Sequence, residues 1–212
     1  SPFSLKVKEG TGKEILATAG PIRYSEETNP VSFRFVLWWL WLRGLRKPCA
    51  ILDQVVYSRE ADNLLEIGLG ERGSQKELMR MRIFFVDKRT LRVESEILDK
   101  NVNRVWVSFI RDKEDRYFGM GERFNRVEHS RERVRNWSEE GGLGLSHLSE
   151  IFPDSPINPF PRGQDMTYYP VPYFLNPAKN YGFLLDDVHY SLFDFGATLS
   201  DKLVIENWNR RF

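Results

Sequence analysis

The sequence predicts an all-β fold, an antiparallel β-sandwich formed by one domain over residues 1–212. Three observations point to it. Apolar and polar residues alternate in short segments, the segments succeed one another at close spacing through Gly, Pro or charged turns, and few stretches hold a helical apolar period for long. Closely spaced strands favour antiparallel pairing, because a parallel pair needs a long crossover. A chain of 212 residues fits one large all-β domain and can bury a substantial core.

Leu5 and Val7 alternate with Lys6 and Lys8, and Gly10-Thr11-Gly12 supplies a turn before Ile15 and Leu16, so the chain opens on a hairpin. Gly20-Pro21 and Asn29-Pro30 mark two loop ends after this hairpin. The run Phe35-Val36-Leu37-Trp38-Trp39-Leu40-Trp41-Leu42 is the most apolar in the chain, yet far shorter than the ~20 residues that cross a bilayer as a helix. It reads as a strand buried on both faces, with a partner-docking ridge at Trp38-Trp39-Leu40-Trp41 as the sharper alternative. Gly68-Leu69-Gly70-Glu71-Arg72-Gly73 satisfies the dinucleotide-loop pattern in form, but that pattern needs a helix opening on the loop. Here an apolar run over 81–86, the turn Asp87-Lys88-Arg89-Thr90, and Leu91, Val93 and Ile97 alternating with Arg92, Glu94 and Glu96 read as a β-hairpin instead.

Val105, Val107 and Phe109, set against Arg104, Trp106 and Ser108, predict a further strand with one apolar face. Residues 126–167 read as one long loop: Glu, Arg, Gly, Ser and Pro dominate it, and Pro153, Pro156, Pro159 and Pro161 bar a regular element from its second half. Strands resume over 171–175 and 181–186, joined by Asn176-Pro177-Ala178-Lys179-Asn180.

With 31 basic and 30 acidic residues the net charge is +1, so no global field favours nucleic acid or an anionic membrane, and neither is expected as a partner. The single cysteine, Cys49, excludes an internal disulfide and a Cys-based metal site, and His129, His147 and His189 lack metal-ligand spacing. No metal and no cofactor are expected. A lone thiol and the absence of a signal-peptide pattern at Ser1-Pro2-Phe3-Ser4-Leu5 suggest a cytoplasmic protein, although the missing initiator Met suggests a trimmed start. Aromatic residues make up 14% of the chain, a share that suits β-strands and would also suit a sugar-binding surface.

The chemistry-bearing stretch is Phe118-Gly119-Met120-Gly121-Glu122-Arg123-Phe124-Asn125, with Trp137-Ser138-Glu139-Glu140-Gly141-Gly142-Leu143-Gly144 downstream of it. Two glycines one residue apart release the backbone from its usual φ range, and the charged pair after them sits among aromatics, as in a supported loop. Glu139, Glu140, Glu150, Asp154 and Asp165 are candidate carboxylates. Glycoside hydrolysis needs two such groups facing one bond, and the spacing pairs none of these. A solvated acidic loop and a sugar-contacting edge therefore both fit. No Gly-x-Ser-x-Gly elbow supports a serine hydrolase.

The order of Gly-x-Gly-Glu-Arg-Phe over 119–124, the Trp137-led acidic turn, Tyr168-Tyr169-Pro170-Val171-Pro172-Tyr173-Phe174-Leu175 and Tyr181-Gly182-Phe183-Leu184-Leu185-Asp186 resembles the N-terminal domain of glycoside hydrolase family 31, clearly over 117–195. The resemblance implies a galactose mutarotase-like β-sandwich preceding a (β/α)8 barrel, in a retaining α-glycosidase whose two catalytic aspartates lie on the barrel. Such a barrel takes about 250 residues, so this chain is expected to hold no catalytic residue, to be a fragment, and to have the barrel of the same polypeptide and an α-glycoside as partners. The resemblance places Trp137, Glu139 and Glu140 on the sugar, with Glu140 accepting hydroxyl hydrogen bonds rather than moving protons. Ser138 and Glu140 depart from the Asn and Asp commoner there, and Trp-x-x-Glu-x-Gly-Leu-Gly resembles the sulfoquinovosidase branch instead. Gly119, Gly121, Glu122 and Arg123 are expected to support the loop, the last two as an ion pair at its base, and Tyr168, Tyr169 and Tyr173 to pack between sheets. A non-catalytic carbohydrate-binding module and an interaction domain using the Trp38 to Trp41 ridge are the alternatives.

Overall fold

The computed structural model describes residues 2–28, 32–33, 40–41, 45–46, 49–123, 126–138 and 167–212. Among them every regular element is a strand, and the strand pairs are antiparallel. The chain divides into two compact units, one of Ser1–Glu26, Lys47–Ile110 and Glu206–Phe212, the other of Glu27–Arg46 and Arg111–Ile205.

The first unit shows directly how the pattern folds. Met79–Phe85 buries Met79, Met81 and Ile83 and exposes Arg80 and Arg82, the alternation that a sheet with one wet face imposes. It pairs with Leu64–Gly70 on one side and Leu91–Ile97 on the other, and Gln54–Ala61 completes a four-stranded sheet. On the outer face Arg82 meets Glu94 across the strands at 3.2 Å. The 87–90 turn forms as expected, with the Asp87 carboxylate accepting from the Arg89 and Thr90 amides. A second set of strands, Ala50–Leu52, Ile22–Ser25 and Arg104–Ile110, contributes Leu52, Ile22 and Val105 to the same core as Ile67, Leu69, Met79, Met81, Ile83 and Ile97. Each of these side chains stabilises the unit by about 1.5–3 kcal/mol through burial. Lys6–Lys8 and Glu14–Ala17 form the opening hairpin.

One local expectation holds and another changes. Gly68 and Gly70 lie within a strand paired on both sides, and the next element is the strand Met79–Phe85 and not a helix, so the dinucleotide pattern is coincidental. Gly68 is there because the Tyr57 ring occupies the space of a Cβ. Arg104–Ile110 does not have one apolar and one polar face, since Arg104 and Trp106 are both buried. The Arg104 guanidinium lies 3.6 Å from the centre of the Trp208 ring, so aromatic contact makes burial of the charge tolerable.

In the second unit Phe118–Gly121, Pro170–Asn176 and Tyr181–Leu184 form a three-stranded sheet, and Arg133–Asn136 pairs with Ser191–Asp194. The buried rings of Tyr117, Phe174, Phe193 and Phe195 meet one another, with Tyr117 edge-on to Phe174 at 5.3 Å and Phe195 edge-on to Phe174 at 5.3 Å. The Arg133–Asn136 strand falls inside the segment read as one loop over 126–167. Its single apolar residue, Val134, gives no period-2 signal between two arginines. Of the apolar run 35–42 only Leu40–Trp41 is described, paired with Ser32–Phe33, and the remainder of the Trp38 to Trp41 ridge lies outside the described residues.

Candidate functional site

The Gly-x-Gly stretch is a strand end forced out of line. Gly119, Met120 and Gly121 have φ of 128°, 68° and 82°, three successive values in the region that L side chains disfavour. Pairing shifts here: Gly119 faces Phe174 and Gly121 faces Pro170, so two steps along one strand match four along the other, as at a bulge. A Cβ on Gly119 would lie 2.5 Å from the Tyr173 carbonyl oxygen, and one on Gly121 would collide with the Tyr169 carbonyl. Both positions require glycine for space as well as for φ. Met120 compensates by burying its side chain completely.

Backbone and side chain then fasten the base of the turn. The Glu122 amide donates to the Tyr169 carbonyl at 3.0 Å, and its carbonyl accepts from the Thr167 hydroxyl at 2.5 Å. The Tyr169 amide donates back to the Thr167 oxygen at 3.1 Å. Arg123 Nε donates to the Met120 carbonyl at 2.9 Å, which ties the guanidinium across the turn itself. In these bonds Glu122 takes part through its backbone, whereas Arg123 does so through a side chain folded back on Met120.

Sequence reasoning missed His129, which no spacing singles out. It is fully buried, with Nδ1 3.0 Å from Glu132 Oε2 and Nε2 3.2 Å from the Gly119 carbonyl oxygen. Its amide donates to the Tyr117 carbonyl, and its ring stacks on Phe195 at 6.2 Å. Nearby, burial alone would raise the Glu128 carboxyl, but the Ser130 hydroxyl and the Ser130 and Tyr117 amides outweigh it and hold that carboxyl below its ordinary value.

A buried polar network braces the turn between Pro170–Asn176 and Tyr181–Leu184. Asp115 accepts from the Asp112 amide at 2.8 Å and from Asn176 Nδ2 at 2.9 Å, while Lys179 reaches Asp112 at 2.8 Å and Asp115 at 3.2 Å. Burial works against the Lys179 ammonium, yet the two aspartates more than offset it and raise its pKa. Burial also pushes the Tyr181 hydroxyl up to about 12 and raises that of Tyr117, with Asp115 adding to both.

Of the residues expected on the sugar, Trp137 comes directly after the Arg133–Asn136 strand, is 37% exposed, and has its ring 6.3 Å from that of Tyr190. Glu139 and Glu140 lie outside the described residues. The tyrosines correct the expectation of packing between sheets: Tyr168 is 55% exposed, Tyr169 72% and Tyr173 38%. Phe174 and Asn176 take the inward positions of Pro170–Asn176, so Tyr173 and Leu175 face outward with Leu184, and Tyr173 lies over the bare Gly182. Among the described residues no group of three or more His, Cys, Asp or Glu could hold a metal ion, and no helix is long and apolar enough to cross a membrane.

No protein-family model matches the chain. It is 29% identical to a sulfoquinovosidase of Agrobacterium fabrum over 99 residues, 46% of this chain and 15% of that protein. Its fold is similar to that of a family 31 sulfoquinovosidase from E. rectale, solved with an aza-sugar inhibitor, with a TM-score of 0.72 and 18% identity over 98% of this chain. The chain spans 30% of that structure's length, well under two thirds of either relative. Over those 99 residues the chain is a homologue of a sulfoquinovosidase, and its all-β fold is similar to that of part of a family 31 sulfoquinovosidase.

Proposed function

We propose that the chain is the N-terminal, pocket-forming β-sandwich of a retaining α-glycosidase that hydrolyses O-glycosyl bonds, the reaction centre being a (β/α)8 barrel of the same polypeptide. The observation that carries this reading is the fold likeness to a family 31 sulfoquinovosidase along 98% of the chain. In this reading Trp137, Glu139 and Glu140 belong to an arm over the barrel mouth, and Glu140 holds two sugar hydroxyls in register without taking part in proton transfer. The Arg133–Asn136 strand, paired with Ser191–Asp194, carries the start of that arm, and the Gly119–Gly121 turn lies at its return. Its re-entry at Thr167 is tied to the same turn through the Glu122 carbonyl. An α-linked, 6-sulfonated glucose is the favoured substrate, because the Agrobacterium fabrum and E. rectale relatives are sulfoquinovosidases and Trp137 through Gly144 fits the matching pattern.

The test is hydrolysis of aryl α-sulfoquinovoside and aryl α-glucoside by the full-length polypeptide that carries these residues, with the anomer of the first product followed by NMR. The α-anomer should appear first, with the sulfonated substrate preferred. Hydrolysis of neither would overturn the reading, and saturable sugar binding without turnover would favour the glycan-binding module.

A further inference from the structure

We infer that His129 is a positioning residue, held as a doubly protonated ring, that latches the Gly119-Met120-Gly121 turn to the 128–132 segment. Both of its ring nitrogens face atoms that only accept: the Gly119 carbonyl at Nε2, 3.2 Å away, and the Glu132 carboxylate at Nδ1, 3.0 Å away. A neutral imidazole has one N–H and one lone pair, so either tautomer would turn a lone pair on an acceptor. The ring is completely buried, and solvent cannot relieve that mismatch. Only the imidazolium donates to both.

The surroundings are consistent with one positive charge. Glu132 faces the ring directly, and its other oxygen is 3.2 Å from Arg126 Nε. Glu128 directs its carboxylate at the Ser130 and Tyr117 amides. Uncharged groups beside it are the Phe195 ring, the Tyr117 carbonyl over the His129 amide, and the Gly119 carbonyl. Glu132 is itself fixed by its amide on the His129 carbonyl and by its carbonyl, which accepts from the Phe195 amide. Three successive positive φ values coincide with the register shift between Gly119 and Gly121, where the ladder to Pro170–Asn176 is interrupted. The Pro170–Asn176 strand holds the turn on one side, and the His129 ring holds it on the other.

The functional consequence, a correctly aimed arm, rests on the proposed glycosidase function, but the latch itself is tested without substrate. In 15N NMR of the 212-residue chain at neutral pH, with His129→Gln to assign the signals, both ring nitrogens of His129 should bear hydrogen. A ring with one lone-pair nitrogen would overturn the inference. In His129→Phe, which keeps a ring against Phe195 but donates nothing, exchange of the Glu122 amide should accelerate about tenfold or more, and His129→Gln, with one donor, should fall between it and the wild type. Unchanged exchange in His129→Phe would also overturn it. Should that variant fail to fold, the wild-type ring spectrum decides alone. Failure here leaves the hydrolysis assay untouched, and absence of hydrolysis leaves the ring spectrum untouched.

Discussion

Glycine serves two different ends in this chain, and substitution separates them. Gly73 has a φ of 80° with open space around it, whereas Gly121 has a φ of 82° with the Tyr169 carbonyl where a Cβ would go. Gly73→Ala should therefore cost only the left-handed penalty, about 1 kcal/mol. Gly121→Ala should cost at least about 2–3 kcal/mol, because backbone must also move. Urea denaturation of the two variants checks the difference, and equal costs would mean that the turn at 119–121 yields easily. At this scale the pair Gly119 and Gly121 was legible because φ demands leave a mark on residue type. His129 was not: a buried imidazole and a surface one look alike in sequence until the carbonyl and carboxylate that flank it are placed.

Hairpins were the most readable elements, since Met79, Met81 and Ile83 against Arg80 and Arg82 spell out one buried face. Arg133–Asn136 was illegible because its pairing with Ser191–Asp194 is a long-range event with one apolar residue to announce it. Arg104–Ile110 was misread because Arg104 uses an aromatic partner, Trp208, distant in sequence. A similar long-range tie joins the last residues to an edge. Arg210 and Phe212 hydrogen-bond through their backbones with Ile97 and Ser95, and Glu96 accepts from Arg210 at 2.7 Å and Arg211 at 2.8 Å. Arg210 first, then Arg211, lowers the Glu96 pKa. A carboxyl depressed in the fold adds stability that is complete above its unfolded value, near about 4.3, and fades as pH falls through the folded one. Glu96→Gln should thus destabilise at about pH 7 but little at about pH 3, by under about 1 kcal/mol because the pair is partly exposed. Denaturation midpoints of wild type and variant at the two pH values measure this. A loss equally large at both would mean that packing, not charge, secures the segment.

The whole molecule presents two compact units, one assembled around Leu69, Met79 and Ile97, the other around Tyr117, Phe174 and Phe195. The all-β character was legible in short alternating segments, and the family resemblance in a series of motifs that fall, in the structure, on the Gly119 turn and the strands Pro170–Asn176 and Tyr181–Leu184. Exposure of Tyr168, Tyr169 and Tyr173 was the part that motif order could not convey, because alternation sets which faces differ but not which one is covered. The function proposed for the chain is that of a sandwich that lends an acidic arm to a reaction centre carried elsewhere on the polypeptide. Steady-state kinetics of the full-length polypeptide on an aryl α-sulfoquinovoside, with and without Glu140→Ala, are the test of that proposal. In a stably folded variant kcat/KM should fall by about tenfold to a hundredfold; an unchanged kcat/KM would remove Glu140 from the site.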